Sequence, residues 1–125
     1  MQKTKESFIV NRIKSVGYAF KGMLILLKTE ASIKIQLVIA VIITVMGFYF
    51  KISLNEWMIQ FTLIGLVMGA EGMNTTIEYL SDFEHPDHHQ KIGRMKDVAA
   101  GAVLLTGLIA VVVAGLIYVP KLVSV

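Results

Sequence analysis

The 125-residue sequence predicts an all-α membrane protein, an N-terminal amphipathic surface helix followed by three transmembrane helices. Three observations predict it. Hydrophobic residues make up 55% of the chain and mean hydropathy is +0.68, too apolar for a soluble domain this small. Three long apolar runs lack the alternation of barrel strands, and only helices or closed barrels satisfy the backbone in lipid. Basic residues gather before the first and last runs: Lys3, Lys5, Arg12, Lys14, Lys21, Lys28 and Lys34, then Lys91, Arg94 and Lys96. A nucleic-acid partner would explain such cations but not the apolar bulk. Anionic lipid headgroups explain both.

The surface helix is expected over 5–29. Phe8, Ile9, Ile13, Val16, Phe20, Met23, Leu24 and Leu27 recur at spacings of 3 and 4, with Arg12, Lys14, Lys21 and Lys28 on the other faces. Such a helix lies at the interface, or packs on the bundle. The first run, 35–50, holds only Gln36 and Thr44 as polar residues; the second, 57–70, only Gln60 and Thr62; the third, 98–119, only Thr106. About 20 helical residues cross a bilayer core, so the membrane helices are expected over 33–50, 55–80 and 96–119, in one domain. The first run starts too late, and after too much charge, for a cleaved signal peptide. Positive charge flanking the spans puts the N-terminus and the 82–97 loop in the cytoplasm.

The second run continues into polar sequence. At about 100° per residue, Glu71, Asn74, Glu78 and Asp82 fall within an arc of roughly 80°. Carboxylates at membrane depth face a cavity, a partner or a cation, unless the stripe is a solvated interfacial face. Glu30, at the turn from surface helix to first span, is either a snorkelling charge beside Lys28 or Lys34, or a partner for Glu78 in holding magnesium with bound phosphate. His85, His88 and His89 share one loop with Pro86 and Asp87. Without cysteine, and with Pro86 breaking any shared helical face, a zinc site is not expected. The loop's cations suit phosphates, and Lys96 and Asp97 are placed to reach a nucleotide. Small residues at Gly65, Gly69, Gly107, Ala110 and Ala114 allow close helix approach, and a thin bundle with a polar stripe favours oligomers. No P-loop, protein-kinase glycine loop or Ser-His-Asp constellation occurs.

The run Glu71-Gly-Met-Asn74-Thr-Thr-Ile-Glu78, with Asp82 and Lys96-Asp97-Val-Ala-Ala-Gly-Ala-Val, resembles the prokaryotic diacylglycerol kinase family, which includes undecaprenol kinases. Gly17-Tyr18-Ala-Phe20-Lys21-Gly22 and Thr29-Glu30 match as well. The resemblance implies a homotrimer in the bacterial inner membrane, with cytoplasmic active sites shared between subunits. There the γ-phosphate of ATP would pass to the hydroxyl of a membrane lipid. It implies Glu71 as catalytic base and Asn74 and Arg12 as orienting residues. Glu30 and Glu78 become magnesium ligands on the ATP phosphates, and Tyr18, Asp87, His88, His89, Lys96 and Asp97 further nucleotide contacts. Two positions depart from the family pattern: Asn11 stands beside Arg12 at the early arginine, and Thr76 replaces a commoner alanine. The Asn-Thr-x-Ile-Glu form leans toward undecaprenol. Two readings compete, a small ion or proton transporter and a non-catalytic lipid-binding adaptor. A transporter needs carboxylates across the whole membrane; an adaptor has no use for Glu71.

Overall fold

A computed structural model describes residues 7–84, 87 and 89–124. Four helices follow in order: α1 (Phe8–Thr29), α2 (Ala31–Phe50), α3 (Leu54–Glu84) and α4 (Gln90–Val123), with no strand among the described residues. Ser7 caps α1, its Oγ accepting from the Val10 N–H at 3.1 Å. Every residue from 8 to 25 is exposed, so α1 stands off the rest of the chain until its last turns.

The break between α1 and α2 is a single residue. Glu30 is extended (φ −96°, ψ 117°), yet its N–H donates to Leu26 O at 3.2 Å and its carbonyl accepts from the Lys34 N–H at 3.1 Å. These two bonds carry the backbone through the corner and leave the Glu30 side chain at the start of the first apolar helix.

The far end of α2 is closed more elaborately. Lys51 is left-handed (φ 53°, ψ 54°), Ile52 N–H donates to Gly47 O at 3.1 Å and Lys51 N–H to Phe48 O at 3.3 Å. This is a Schellman ending with lysine where glycine is usual. Ser53 and Glu56 then form a reciprocal capping box for α3: Ser53 N–H donates to Glu56 Oε1 at 2.9 Å and Glu56 N–H to Ser53 Oγ at 3.2 Å. A core of Ile52, Ile117 and Tyr118 gathers around this hairpin, flanked by Met46, Phe50 and Trp57. The Tyr118 hydroxyl lies 2.6 Å from Gln60 Oε1 and 3.2 Å from Ile43 O, and Lys121 pairs with Glu56 at 3.2 Å.

At 1.5 Å per residue α3 spans about 46 Å and α4 about 51 Å, well beyond an apolar layer of about 30 Å. Their helical bounds exceed the apolar runs: α3 continues past 80 to Glu84, and α4 starts at Gln90, before 96. Helical backbone satisfies itself whether or not its side chains are greasy, so polar residues outside the lipid stay wound. The expected 82–97 loop shrinks to the segment between Glu84 and Gln90.

Helices α2 and α4 are long and apolar enough to cross a membrane. Helix α3 is not among them, because Glu56, Gln60, Glu71, Asn74 and Glu78 dilute its hydropathy. The chain exposes 9717 Å², against about 6600 Å² for a compact soluble protein of its mass. Buried positions are as often polar (Gln60, Asn74, Thr75, Ser81) as apolar (Ile33, Ile52, Ile117, Tyr118). Large apolar side chains line the outside of the helices while these four polar ones are buried, the arrangement a lipid solvent favours.

Candidate active site

Helix α3 runs unbroken through Gly72. Thr75 Oγ1 donates to Glu71 O at 3.0 Å and Thr76 Oγ1 to Gly72 O at 3.1 Å, so both hydroxyls are spent within their own helix. Gly72 is where α1 approaches: a methyl group there would lie 3.1 Å from Leu26 Cδ2.

Glu71, Asn74 and Glu78 therefore share one line, Asn74 buried and the two carboxylates half-buried. Asn74 Nδ2 donates to Glu78 Oε1 at 3.4 Å. From α2, Gln36 Nε2 donates to Glu71 Oε1, also at 3.4 Å. Both bonds are long for N–H···O. The opposite ends of these amides, Asn74 Oδ1 and Gln36 Oε1, are buried and lack a hydrogen-bond partner. Gln36 also lines a cavity of about 320 Å³ between α2, α3 and α4, whose walls are almost wholly apolar (Ala40, Leu63, Met68, Gly107). Gln36 thus links an acid to the wall of an apolar cleft.

One residue beyond Glu78, the Tyr79 hydroxyl donates to Glu30 Oε1 at 2.5 Å, tying the α1–α2 corner to α3 beside Glu78. A turn further, Asp82 pairs with Lys96 of α4 at 2.9 Å. Among the described residues no three carboxylates or imidazoles converge on one point. Magnesium fits such a set only as it usually binds in phosphate sites, through one or two carboxylates with substrate oxygens and water completing the shell.

The other sequence-predicted residues are not gathered here. Arg12 and Tyr18 are exposed on α1, the Arg12 guanidinium 5.6 Å from the Phe8 ring centroid. Asp87 and Asp97 are exposed, and His89 caps α4, its Nδ1 accepting from the Lys91 N–H at 3.2 Å. His85, Pro86 and His88 lie outside the described residues, as do Lys3 and Lys5. Gln36 and Tyr79, which touch Glu71 and Glu30, were not singled out from the sequence. Gln36 was visible as an amide in an apolar run, whereas nothing local marked Tyr79.

Residues 17–118 match the family model for prokaryotic diacylglycerol kinase. The chain is 36% identical over 109 residues to the undecaprenol kinase of Bacillus subtilis (strain 168), covering 87% of this chain and 89% of that protein. It is 28% identical over 100 residues to the diacylglycerol kinase of Escherichia coli (strain K12), covering 80% and 82%. A diacylglycerol kinase of Shigella flexneri matches equally, at 28% over 100 residues. The matched span takes in Tyr18, Glu30, the α3 stripe and Lys96, and the chain belongs to the prokaryotic diacylglycerol kinase family, a family of lipid kinases.

Proposed function

We propose that this chain moves the γ-phosphate of ATP, with magnesium, onto the hydroxyl of a membrane lipid, undecaprenol before diacylglycerol. The observation that carries the reading is the unbroken α3, which aligns Glu71 with Glu78 two turns on and brings Tyr79 to Glu30. Glu71 takes the proton of the lipid hydroxyl as its oxygen attacks the γ-phosphorus. The phosphorus–oxygen bond to ADP breaks, and ADP leaves with the electron pair. Magnesium, when bound, supplies neutralisation of phosphate charge, and Glu30 and Glu78 would hold it. Asn74 holds Glu78. Lys96 and Asp97, with Asp87, His88 and His89, contact the nucleotide. The apolar cleft beside Gln36 accepts the lipid tail while its head reaches Glu71.

Arg12 and Tyr18 belong to a helix exposed along residues 8–25, so they serve the site of a neighbouring copy. That supports the shared sites of a homotrimer. A third span is supported by α3 itself. It lies along α4, which is apolar enough to cross, and its deep polar groups have partners within the chain: Glu56 has Lys121, Gln60 has Tyr118. Basic residues before α2 and before the apolar part of α4 set the N-terminus and the acid stripe on the cytoplasmic side of a bacterial inner membrane. The undecaprenol preference rests on 36% identity to an undecaprenol kinase against 28% to diacylglycerol kinases.

Purified protein in mixed micelles, given labelled ATP and magnesium, should label undecaprenol faster than diacylglycerol. Well-folded protein that labels neither lipid refutes the proposal.

A further inference from the structure

Among the described residues, only two buried side-chain atoms lack a hydrogen-bond partner, Gln36 Oε1 and Asn74 Oδ1. Both belong to amides whose other end donates to a carboxylate of the stripe, Gln36 to Glu71 and Asn74 to Glu78, each at 3.4 Å. A buried unsatisfied acceptor is costly, and here both fall on amides that touch a carboxylate of the stripe. Of the two amides, Gln36 comes from a different helix and from the start of an apolar run.

We infer that Gln36 is a positioning residue for Glu71, an inference that rests on the lipid kinase reading above. Its amide N–H holds Oε1 of Glu71 and so directs Oε2 toward the incoming lipid hydroxyl. A neutral donor suits this task. A lysine at the same place would bind the carboxylate as a fixed ion pair and compete with the hydroxyl for it, whereas a glutamate would repel it. At 3.4 Å the contact is long, and catalytic hydrogen bonds often tighten only in the reacting complex. Gln36 also lines the head of the apolar cleft, so the side chain that aims the base stands where the lipid tail enters.

Three variants test the role. Gln36→Met keeps length and loses the N–H; Gln36→His restores a donor of similar reach; Glu71→Gln is the reference without the base. In mixed micelles Gln36→Met should lower kcat by about 10- to 100-fold, the size of effect expected from a misplaced catalytic group. KM for ATP should stay unchanged, because the nucleotide is held elsewhere, and Gln36→His should recover at least half of the logarithmic loss. A second readout is independent of turnover. The carboxylate stretching band of Glu71, isolated by infrared difference against Glu71→Gln, should shift in Gln36→Met and return in Gln36→His. An unmoved band, or a kcat within twofold of the parent for Gln36→Met, overturns the inference. So does an equal loss in both Gln36 variants with the band unchanged, which marks a packing role only. If the parent protein phosphorylates no lipid but the band responds as expected, the kinase reading fails while the Gln36–Glu71 contact stands.

Discussion

Replacing Gly47 with alanine probes the hairpin that sets α2 against α3. The added methyl would sit 2.6 Å from Cη2 and 2.9 Å from Cζ2 of Trp57, and 3.1 Å from Cδ1 of Ile52. Carbon atoms do not approach so closely, and the indole is not free to swing away. It stacks on Phe61 at 5.3 Å between centroids and meets Phe48 at 4.9 Å. Overpacking of this kind costs about 1–3 kcal/mol. Alanine in place of a helical glycine returns up to about 1 kcal/mol, leaving a net loss of about 0–3 kcal/mol. The sharper quantity is the coupling. Trp57→Phe removes both offending ring atoms, so in that background the alanine should become neutral or stabilising, a coupling of about 1–3 kcal/mol. Far-UV circular dichroism of unfolding in detergent micelles is the suitable assay, since Trp57 is the single tryptophan and its loss removes the fluorescence signal. An alanine equally destabilising with and without Trp57 refutes the steric argument.

Three further outcomes follow from single contacts. Tyr118→Phe withdraws the hydroxyl from Gln60 and should cost about 1–3 kcal/mol in the same unfolding assay, most of it recovered when Gln60→Leu removes the stranded amide. Lys51→Gly relieves a left-handed lysine and should stabilise by about 1 kcal/mol; a loss instead would mean the Schellman ending is not formed in the micelle. Tyr79→Phe frees Glu30, and the magnesium concentration giving half-maximal rate should rise several-fold, whereas an unchanged requirement would separate Tyr79 from the carboxylates proposed to hold magnesium.

Much of the helical plan was legible because lipid makes hydropathy decisive: the runs at 35–50 and 98–119 could hardly be anything but helix. The ends were not. Hydropathy falls at Ala70 and rises again only at Val98, yet the backbone stays wound to Glu84 and resumes at Gln90, since winding depends on internal hydrogen bonds rather than on apolar side chains. The three-residue turn between α2 and α3 carried a readable sign, Ser53 three places before Glu56, which apolar-run reasoning passed over. The acid stripe was legible from periodicity alone. Its supports were not: Gln36 and Glu71 are 35 residues apart, and Glu30 and Tyr79 are 49 apart. Such pairings depend on how helices lean together, which spacing within one helix does not encode. Tyr18 shows the reverse, lying within the family match yet standing, like Arg12, on an exposed stretch of α1 away from the stripe in the single chain.

In the proposed mechanism one continuous helix sets a proton-accepting carboxylate, Glu71, in line with a metal-holding carboxylate, Glu78. The most direct measurement of this is the initial rate of labelled phosphate transfer to undecaprenol, taken across a magnesium titration for Glu71→Gln and Glu78→Ala. Glu71→Gln should stay inactive at every magnesium concentration, while Glu78→Ala should require far more magnesium or lose activity. Substantial transfer by Glu71→Gln, or a magnesium dependence untouched by Glu78→Ala, contradicts that mechanism.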